Sequence, residues 1–204
     1  MAKIWRDFNV FFFFAELRFF FAIVRVRNVI RMGMLGRSKK MNIEMKNELL
    51  NLPSLQLKMD NIVFDYIDSK PNWSKAYGLL DELLQKVANN FNSYIARNEG
   101  VMPKSSTYWT LYMDIASKLL YFTGLAHSNL IDEQDSDAKA HIVQFYQISA
   151  SCLPNAALEI NEELISEIKK SIQQINGQQE VEIEISATTD ACFEKFYSFT
   201  KTYE

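Results

Sequence analysis

The chain has 204 residues, of which 48% are hydrophobic and 23% charged, a composition typical of a globular protein rather than a disordered one. Only six glycines and four prolines occur, which disfavours a β-rich fold with many turns and favours long helices. Cys152 and Cys192 belong to no CxxC or Cys/His pattern, so we expect neither a disulfide framework nor a zinc site, and a reducing, cytoplasmic compartment fits best.

The formal net charge of −3 combines two segments of opposite sign. Residues 1–40 hold nine of the 22 basic residues but two of the 25 acids, whereas residues 41–204 hold the other 13 basic and 23 acidic residues. The sequence therefore predicts a basic, Phe-rich N-terminal segment, 1–40, and an acidic helical domain, 41–204. Because an acidic body repels nucleic acid, we expect no nucleic-acid partner.

Residues 1–40 carry two blocks of phenylalanine, the first formed by Phe11, Phe12, Phe13 and Phe14. The apolar run around them is shorter than the about 20 residues of a membrane span, and it contains Glu16 and Arg18 near its middle. A transmembrane helix is therefore disfavoured. As one alternative, the segment lies in a membrane surface, with the Phe side chains buried and Arg25 and Arg27 on anionic headgroups, peripheral to the inner face.

Two other interpretations of residues 1–40 stay open. The segment is a folded element of the domain, or translation starts after it, at Met32, Met34 or Met41. The abrupt change of composition at Met41 motivates the late start.

From residue 42 onward the patterns are mainly helical. Residues 42–52 predict a short helix that ends before Pro53, after which Leu55, Leu57 and Met59 alternate with polar residues as in a strand. The widest stripe lies in residues 74–98, where apolar side chains recur at steps of three and four: Tyr77, Leu80, Leu84, Val87, Phe91 and Tyr94. Because flanking apolar residues make it too wide for one neighbour, it predicts the central helix of a bundle.

The segment 108–126 predicts the antiparallel neighbour of that helix, with Ser105 or Ser106 as its N-cap. Its aromatic residues Tyr108, Trp109 and Tyr112 are candidates for partner binding, and the alternative is that this helix lies inside the bundle. Three further helices are predicted: one at 136–153 capped by Asp135 or Ser136, one at 161–176, and a C-terminal helix capped by Asp190.

Residues 180–186 alternate strictly, with Val181 and Ile183 on one face and glutamates on the other, which predicts a minor β element. A single strand needs a partner for its backbone groups. The segment 24–27 is favoured, because Arg25 and Arg27 complement the glutamates. The alternatives are residues 55–59 and a second copy of the chain, which would make a homodimer, and Val181 and Ile183 are therefore candidate partner-binding residues.

Residues 145–155 resemble the second helix and closing proline of a tetratricopeptide repeat, with the aromatic Tyr146 eight positions before Pro154. The resemblance implies a helical hairpin whose first helix contains Gly124. The connecting loop is too long for the family, Ser149 stands where alanine is usual, and no second copy occurs at a period of about 34 residues. The resemblance therefore implies a hairpin and nothing more.

His127 and His141 are the two histidines of the chain, and they bracket a loop with four acids. Two imidazoles with carboxylates suit a divalent ion, so a metal-dependent enzyme is one alternative function. The spacing matches no HExxH or EF-hand motif, which favours a solvated loop with capping acids. We accordingly predict no metal ligands, no catalytic residues and no cofactor.

These patterns together predict a mostly α protein, an irregular bundle of about six helices with a minor β element near 180–186. The absence of catalytic motifs, the aromatic helix faces and the acidic charge favour a non-enzymatic protein-binding module, such as an adaptor, chaperone or inhibitor-like protein. The alternatives are a helical protein anchored to a membrane by residues 1–40, and the metal-dependent enzyme.

Overall fold

A computed structural model describes residues 51–104, 106–132, 135–153, 162–177, 183 and 188–203. All of them belong to the second of two compact units of the chain, Leu49–Glu204. The predicted boundary after residue 40 and the predicted properties of residues 1–40 lie outside the described residues and stay predictions.

The fold is mostly α, an irregular helical bundle, as predicted. Within the described residues there are six α-helices: α1 Leu52–Val63, α2 Trp73–Arg97, α3 Thr107–Ser128, α4 Ser136–Cys152, α5 Glu162–Ile175 and α6 Thr189–Thr202. A π-helical segment, Phe64–Ser69, continues α1 directly. No strand occurs in these residues, and the β element predicted near 180–186 lies outside them, except for Ile183.

Side-chain N-caps set where several helices begin. Asn72 accepts a hydrogen bond from the backbone N–H of Lys75 (3.1 Å), and Asp135 accepts one from Ala138 (2.9 Å). Ser106 caps α3, as predicted. The prediction that Asp190 caps the last helix is wrong, because Thr188 is its N-cap and Asp190 lies in the first turn, where an acid suits the helix dipole.

The start of α1 corrects two predictions. The predicted helix end at Pro53 is wrong, because Pro53 lies in the first turn of α1, where the missing N–H costs nothing, whereas residues 42–50 lie outside the described residues. The alternation of Leu55, Leu57 and Met59 does not make a strand. Leu55 and Met59 are buried four residues apart on the inner face of α1, whereas Leu57 is 43% exposed.

The π-helical segment Phe64–Ser69 carries the chain from α1 to α2. Ile67 is buried there, and the carbonyl of Tyr66 accepts a hydrogen bond from the backbone N–H of Asn72 (2.8 Å). The ammonium group of Lys75 lies 4.6 Å from the centre of the Tyr66 ring. These contacts tie the segment to the first turn of α2.

Helices α3 and α4 form the closest pair, and small residues line their contact. The Ser117 hydroxyl donates to the Ser149 carbonyl (2.6 Å), and the Ser149 hydroxyl donates to the Ser117 carbonyl (2.7 Å). Farther along, a Cβ placed on Gly124 would lie 3.2 Å from Phe145 Cβ. Ser117 faces Ser149 while Gly124 faces Phe145, so the helices are antiparallel and form the implied hairpin.

The most enclosed helix is α3 rather than α2, which corrects the sequence-based choice of a central helix. Buried side chains occur all round α3, including the ion pair of Asp114 and Lys118 (2.7 Å), whereas α2 exposes Glu82, Lys86 and Asn89. Helix α2 packs beside α3, as predicted. The Tyr112 hydroxyl donates to the Val87 carbonyl (2.8 Å), fixing the two helices to each other.

Phe91 of α2 joins a cluster of aromatic rings that fills the bundle between α2, α3 and α6. Its ring centre lies 5.8 Å from that of Trp109, 6.0 Å from that of Tyr112 and 5.2 Å from that of Phe196. Aromatic pairs at such separations contribute about 0.5–1.5 kcal/mol each beyond the burial of their area. The cluster is therefore the main apolar contact between α6 and the α2–α3 pair.

Gly124 and Gly78 allow the close α3–α4 contact to be tested with one chemical change. Gly124→Val should lower the free energy of unfolding by about 1–3 kcal/mol, because the new side chain meets Phe145 and Tyr146. Gly78→Val, at an exposed position of α2 with open space around the Cβ, should be neutral or slightly stabilising. Urea denaturation of both variants measures the difference, and equal effects would contradict the close contact.

Candidate functional site

The antiparallel packing of α2, α3 and α4 brings both histidines of the chain together. The rings of His127, near the end of α3, and His141, in α4, have centres 5.8 Å apart and meet edge to face. His127 also stacks on Tyr77 of α2, with ring centres 4.6 Å apart, and His141 lies 4.6 Å from the ring of Phe145. We call the residues Tyr77, Asp81, His127, His141 and Tyr203 the histidine cluster.

His127 is half-buried, and its Nδ1 is buried with no hydrogen-bond partner among the described residues. Burial, and next the neighbouring His141, lower the pKa of His127 below its ordinary value, against the opposing effect of Asp81 and Asp135. The imidazole is therefore neutral at physiological pH.

Asp81 and Tyr203 connect α2 to the end of α6 within the histidine cluster. The Tyr203 hydroxyl donates a hydrogen bond to Asp81 Oδ1. Burial, and then the hydrogen bond to Asp81, raise the pKa of Tyr203 far above its ordinary value, so this hydroxyl stays protonated. Burial also raises the pKa of Tyr77, with Asp81 adding to the effect.

The turn between α3 and α4 lies next to the cluster and is acidic. Asp132, Asp135 and Asp137 are exposed, as is Leu130, at 43%. From residue 129 to residue 139 the sequence holds four acids and a single base, Lys139. We call the stretch 129–139 the acidic turn. It brings an exposed apolar side chain and exposed acids close together in the sequence.

The described residues contain no group of three or more His, Cys, Asp or Glu side chains placed to hold a metal ion. The two histidines are brought together, but the described acids do not complete a ligand set with them. What the cluster offers chemically is a neutral imidazole in a half-buried site, with an acceptor nitrogen that the chain itself leaves without a donor.

The structure places the other predicted site residues in different environments. Trp109 and Tyr112 are buried in the Phe91 cluster, whereas Tyr108 is half-buried at its edge, where burial raises its pKa to about 12. Ile183 is half-buried. The remaining candidates, which are Phe11, Phe12, Phe13, Phe14, Arg25, Arg27 and Val181, lie outside the described residues.

Two polar pairs were missed by the sequence analysis. Asp114 and Lys118 are four residues apart in α3, a spacing that allows an ion pair, but an exposed pair has the same spacing. Asp81 and Tyr203 are 122 residues apart, and no local signal connects them.

Comparison of the chain with protein-family models, curated proteins and solved structures finds no match. Among the helices that the structure describes, none combines the length and the apolar character needed to cross a membrane. The site must therefore be interpreted from its own geometry.

Substitution of the neighbouring residues Trp109 and Tyr108 tests which of them belongs to the core and which lies at the surface. Trp109→Ala should lower the free energy of unfolding by about 3–5 kcal/mol, because it empties a buried position against Phe91 and Tyr94. Tyr108→Ala should cost clearly less, about 1 kcal/mol, since its side chain is half-buried. Chemical denaturation compares them, and a fully stable Trp109→Ala protein would return Trp109 to the candidate binding surface.

The Tyr203–Asp81 hydrogen bond has a matched control in Tyr197, which lies in α6 six residues before Tyr203. Tyr203→Phe should lower the free energy of unfolding by about 1 kcal/mol, because it leaves the Asp81 carboxylate without this donor. Tyr197→Phe should have little effect, since the Tyr197 hydroxyl makes no hydrogen bond within the described part of the chain. Thermal denaturation at neutral pH measures both, and identical shifts would rule out a specific contribution from Tyr203.

Proposed function

We propose that the chain is a non-enzymatic, acidic, helical protein-binding module, and that its acidic turn binds a basic segment of a partner protein. The observation that carries the proposal is the exposure of Leu130 together with Asp132, Asp135 and Asp137 in that turn. A partner segment with lysine or arginine beside an apolar side chain complements this surface in both charge and polarity.

The acidic turn connects two helices that are held against each other, which supports recognition by a preformed surface. Asp135 caps α4 with its side chain, so its position is fixed by the helix that follows. The Ser117–Ser149 hydrogen bonds and the close approach at Gly124 hold α3 against α4. A surface held in place loses little conformational entropy on binding.

Charge over the whole domain supports the same partner chemistry. Residues 41–204 carry 13 basic and 23 acidic side chains, so a basic partner is attracted from a distance. This long-range attraction speeds encounter, whereas the acidic turn supplies the specific contact. The affinity should accordingly fall as the ionic strength rises.

The two other functions have less support. The membrane-anchored alternative depends on residues 1–40, which lie outside the described residues. The hypothesis of a metal-dependent enzyme is supported by the proximity of His127 and His141. The described residues, however, contain no group of three or more potential ligands around them.

A charge-reversed variant tests the acidic turn as the binding surface. The probe is a fluorescently labelled amphipathic peptide of lysine and leucine, titrated with the full chain and followed by anisotropy. Combined Asp132→Lys and Asp137→Lys substitutions should weaken binding about tenfold, equivalent to about 1.4 kcal/mol, because two attractive charges become repulsive.

The control variant makes the same change of net charge in a different helix, α5. Glu162→Lys with Glu163→Lys reverses two exposed acids in the first turn of α5, the counterpart of Asp137 in the first turn of α4. This control should weaken binding only slightly, through the net charge. Equal weakening by both double variants, or no weakening by the first, would refute the acidic turn as the site.

A further inference from the structure

We propose that His127, packed against His141, forms a proton-operated latch, in which protonation of His127 separates the end of α3 from the first half of α4. The inference does not depend on the proposed binding function. It rests on the packing of the two rings, on the unpartnered nitrogen of His127 and on the groups that surround them.

The two imidazoles belong to a continuous row of rings that crosses four helices. Tyr77 of α2 stacks on His127 of α3, which meets His141 of α4, and His141 packs on Phe145. Phe145 in turn lies 5.8 Å from the ring of Tyr203, beyond the end of α6. A charge placed in the middle of this row acts on every helix that meets there.

The buried, unpartnered Nδ1 atom of His127 suits the neutral form of the ring better than the protonated form. A neutral imidazole protonated on its other nitrogen leaves Nδ1 as an uncharged acceptor without a donor, which costs less to bury than a charged ring. Protonation turns Nδ1 into a buried N–H with no acceptor within the described residues, which costs free energy. Relief requires that the ring turn toward water, away from Tyr77 and His141.

The ionisable groups that face His127 do not offset the cost of protonating it in its buried position. From α2, α4 and the end of α6, the ionisable neighbours are Tyr77, Asp81, Asp135, His141 and Tyr203. The two carboxylates favour a charged His127, but Asp81 already accepts a hydrogen bond from Tyr203, and Asp135 accepts one from the backbone of Ala138. Burial and His141 outweigh them, so the pKa of His127 is lowered.

The lowered pKa of His127 determines how the stability of the latch changes with pH. Because the pKa of His127 is lower in the folded chain than the ordinary value of about 6.5, the unfolded or locally opened form binds more protons below that pH. The latch is therefore fully stable above about pH 6.5 and is weakened as the pH falls toward the folded pKa. At a pH below the folded pKa, the equilibrium constant for opening the latch is about tenfold larger for each pH unit by which folding lowers the pKa of His127.

Amide hydrogen exchange of the full chain tests the latch at about pH 7.5 and about pH 5.5, on either side of the ordinary histidine pKa. After correction for the intrinsic exchange rate, protection in the last turns of α3 and the first turns of α4 should fall at the lower pH. Protection around Ser117 and Ser149, at the other end of the same helix pair, should not change. A uniform loss over both ends would overturn a local latch.

The variant His127→Phe keeps a flat ring against Tyr77 and cannot be protonated. It should retain full protection at both pH values, and a loss equal to that of the unsubstituted chain would refute the role of His127. A second measurement needs no variant. Since the chain has two histidines, NMR titration of their ring protons yields both pKa values, and two values at or above about 6.5 would also refute the latch.

Discussion

The close approach of α3 and α4 is the contact on which the rest of the bundle depends. Ser117, Gly124 and Ser149 are small enough for the two backbones to come together, and each serine hydroxyl donates to the backbone carbonyl of the other serine. Once these residues are paired, the relative position of the two helices along their axes is fixed. That position brings His127 to His141 and leads the chain out through the acidic turn.

A helix enclosed on all sides explains the polar character of the interior. Because α3 has little surface to offer to water, Asp114 and Lys118 are held as an ion pair inside the protein. Removing two charges from water is costly, so such a pair adds little net stability but strongly penalises the loss of either partner. Thr123 is satisfied within its own helix, through the Leu119 carbonyl (2.7 Å). Within α3, these interior polar groups are thus paired along the helix itself.

The parts of the structure that depend on local pattern were predictable, and those that depend on distant contacts were not. The stripe at 74–98 and the caps at Ser106 and Asp135 are local signals, and α2, α3 and α4 lie close to where they were predicted. The helix boundary at Pro53 was predicted wrongly, because proline is common both after the end of a helix and in the first turn of one. The histidine cluster depends on how α2, α3, α4 and the end of α6 align, and its hydrogen bond from Tyr203 to Asp81 spans most of the described chain.

The π-helical segment Phe64–Ser69 bears on how the length of this chain can vary. A π-helical turn holds more residues than an α-helical turn, and its wider ring of hydrogen bonds absorbs the surplus without breaking the helix. Ile67 points into the core from this segment while its neighbours on either side face water at least in part. Removing one residue from this segment should therefore return it to α-helical geometry, so the chain can change length here without interrupting the helix.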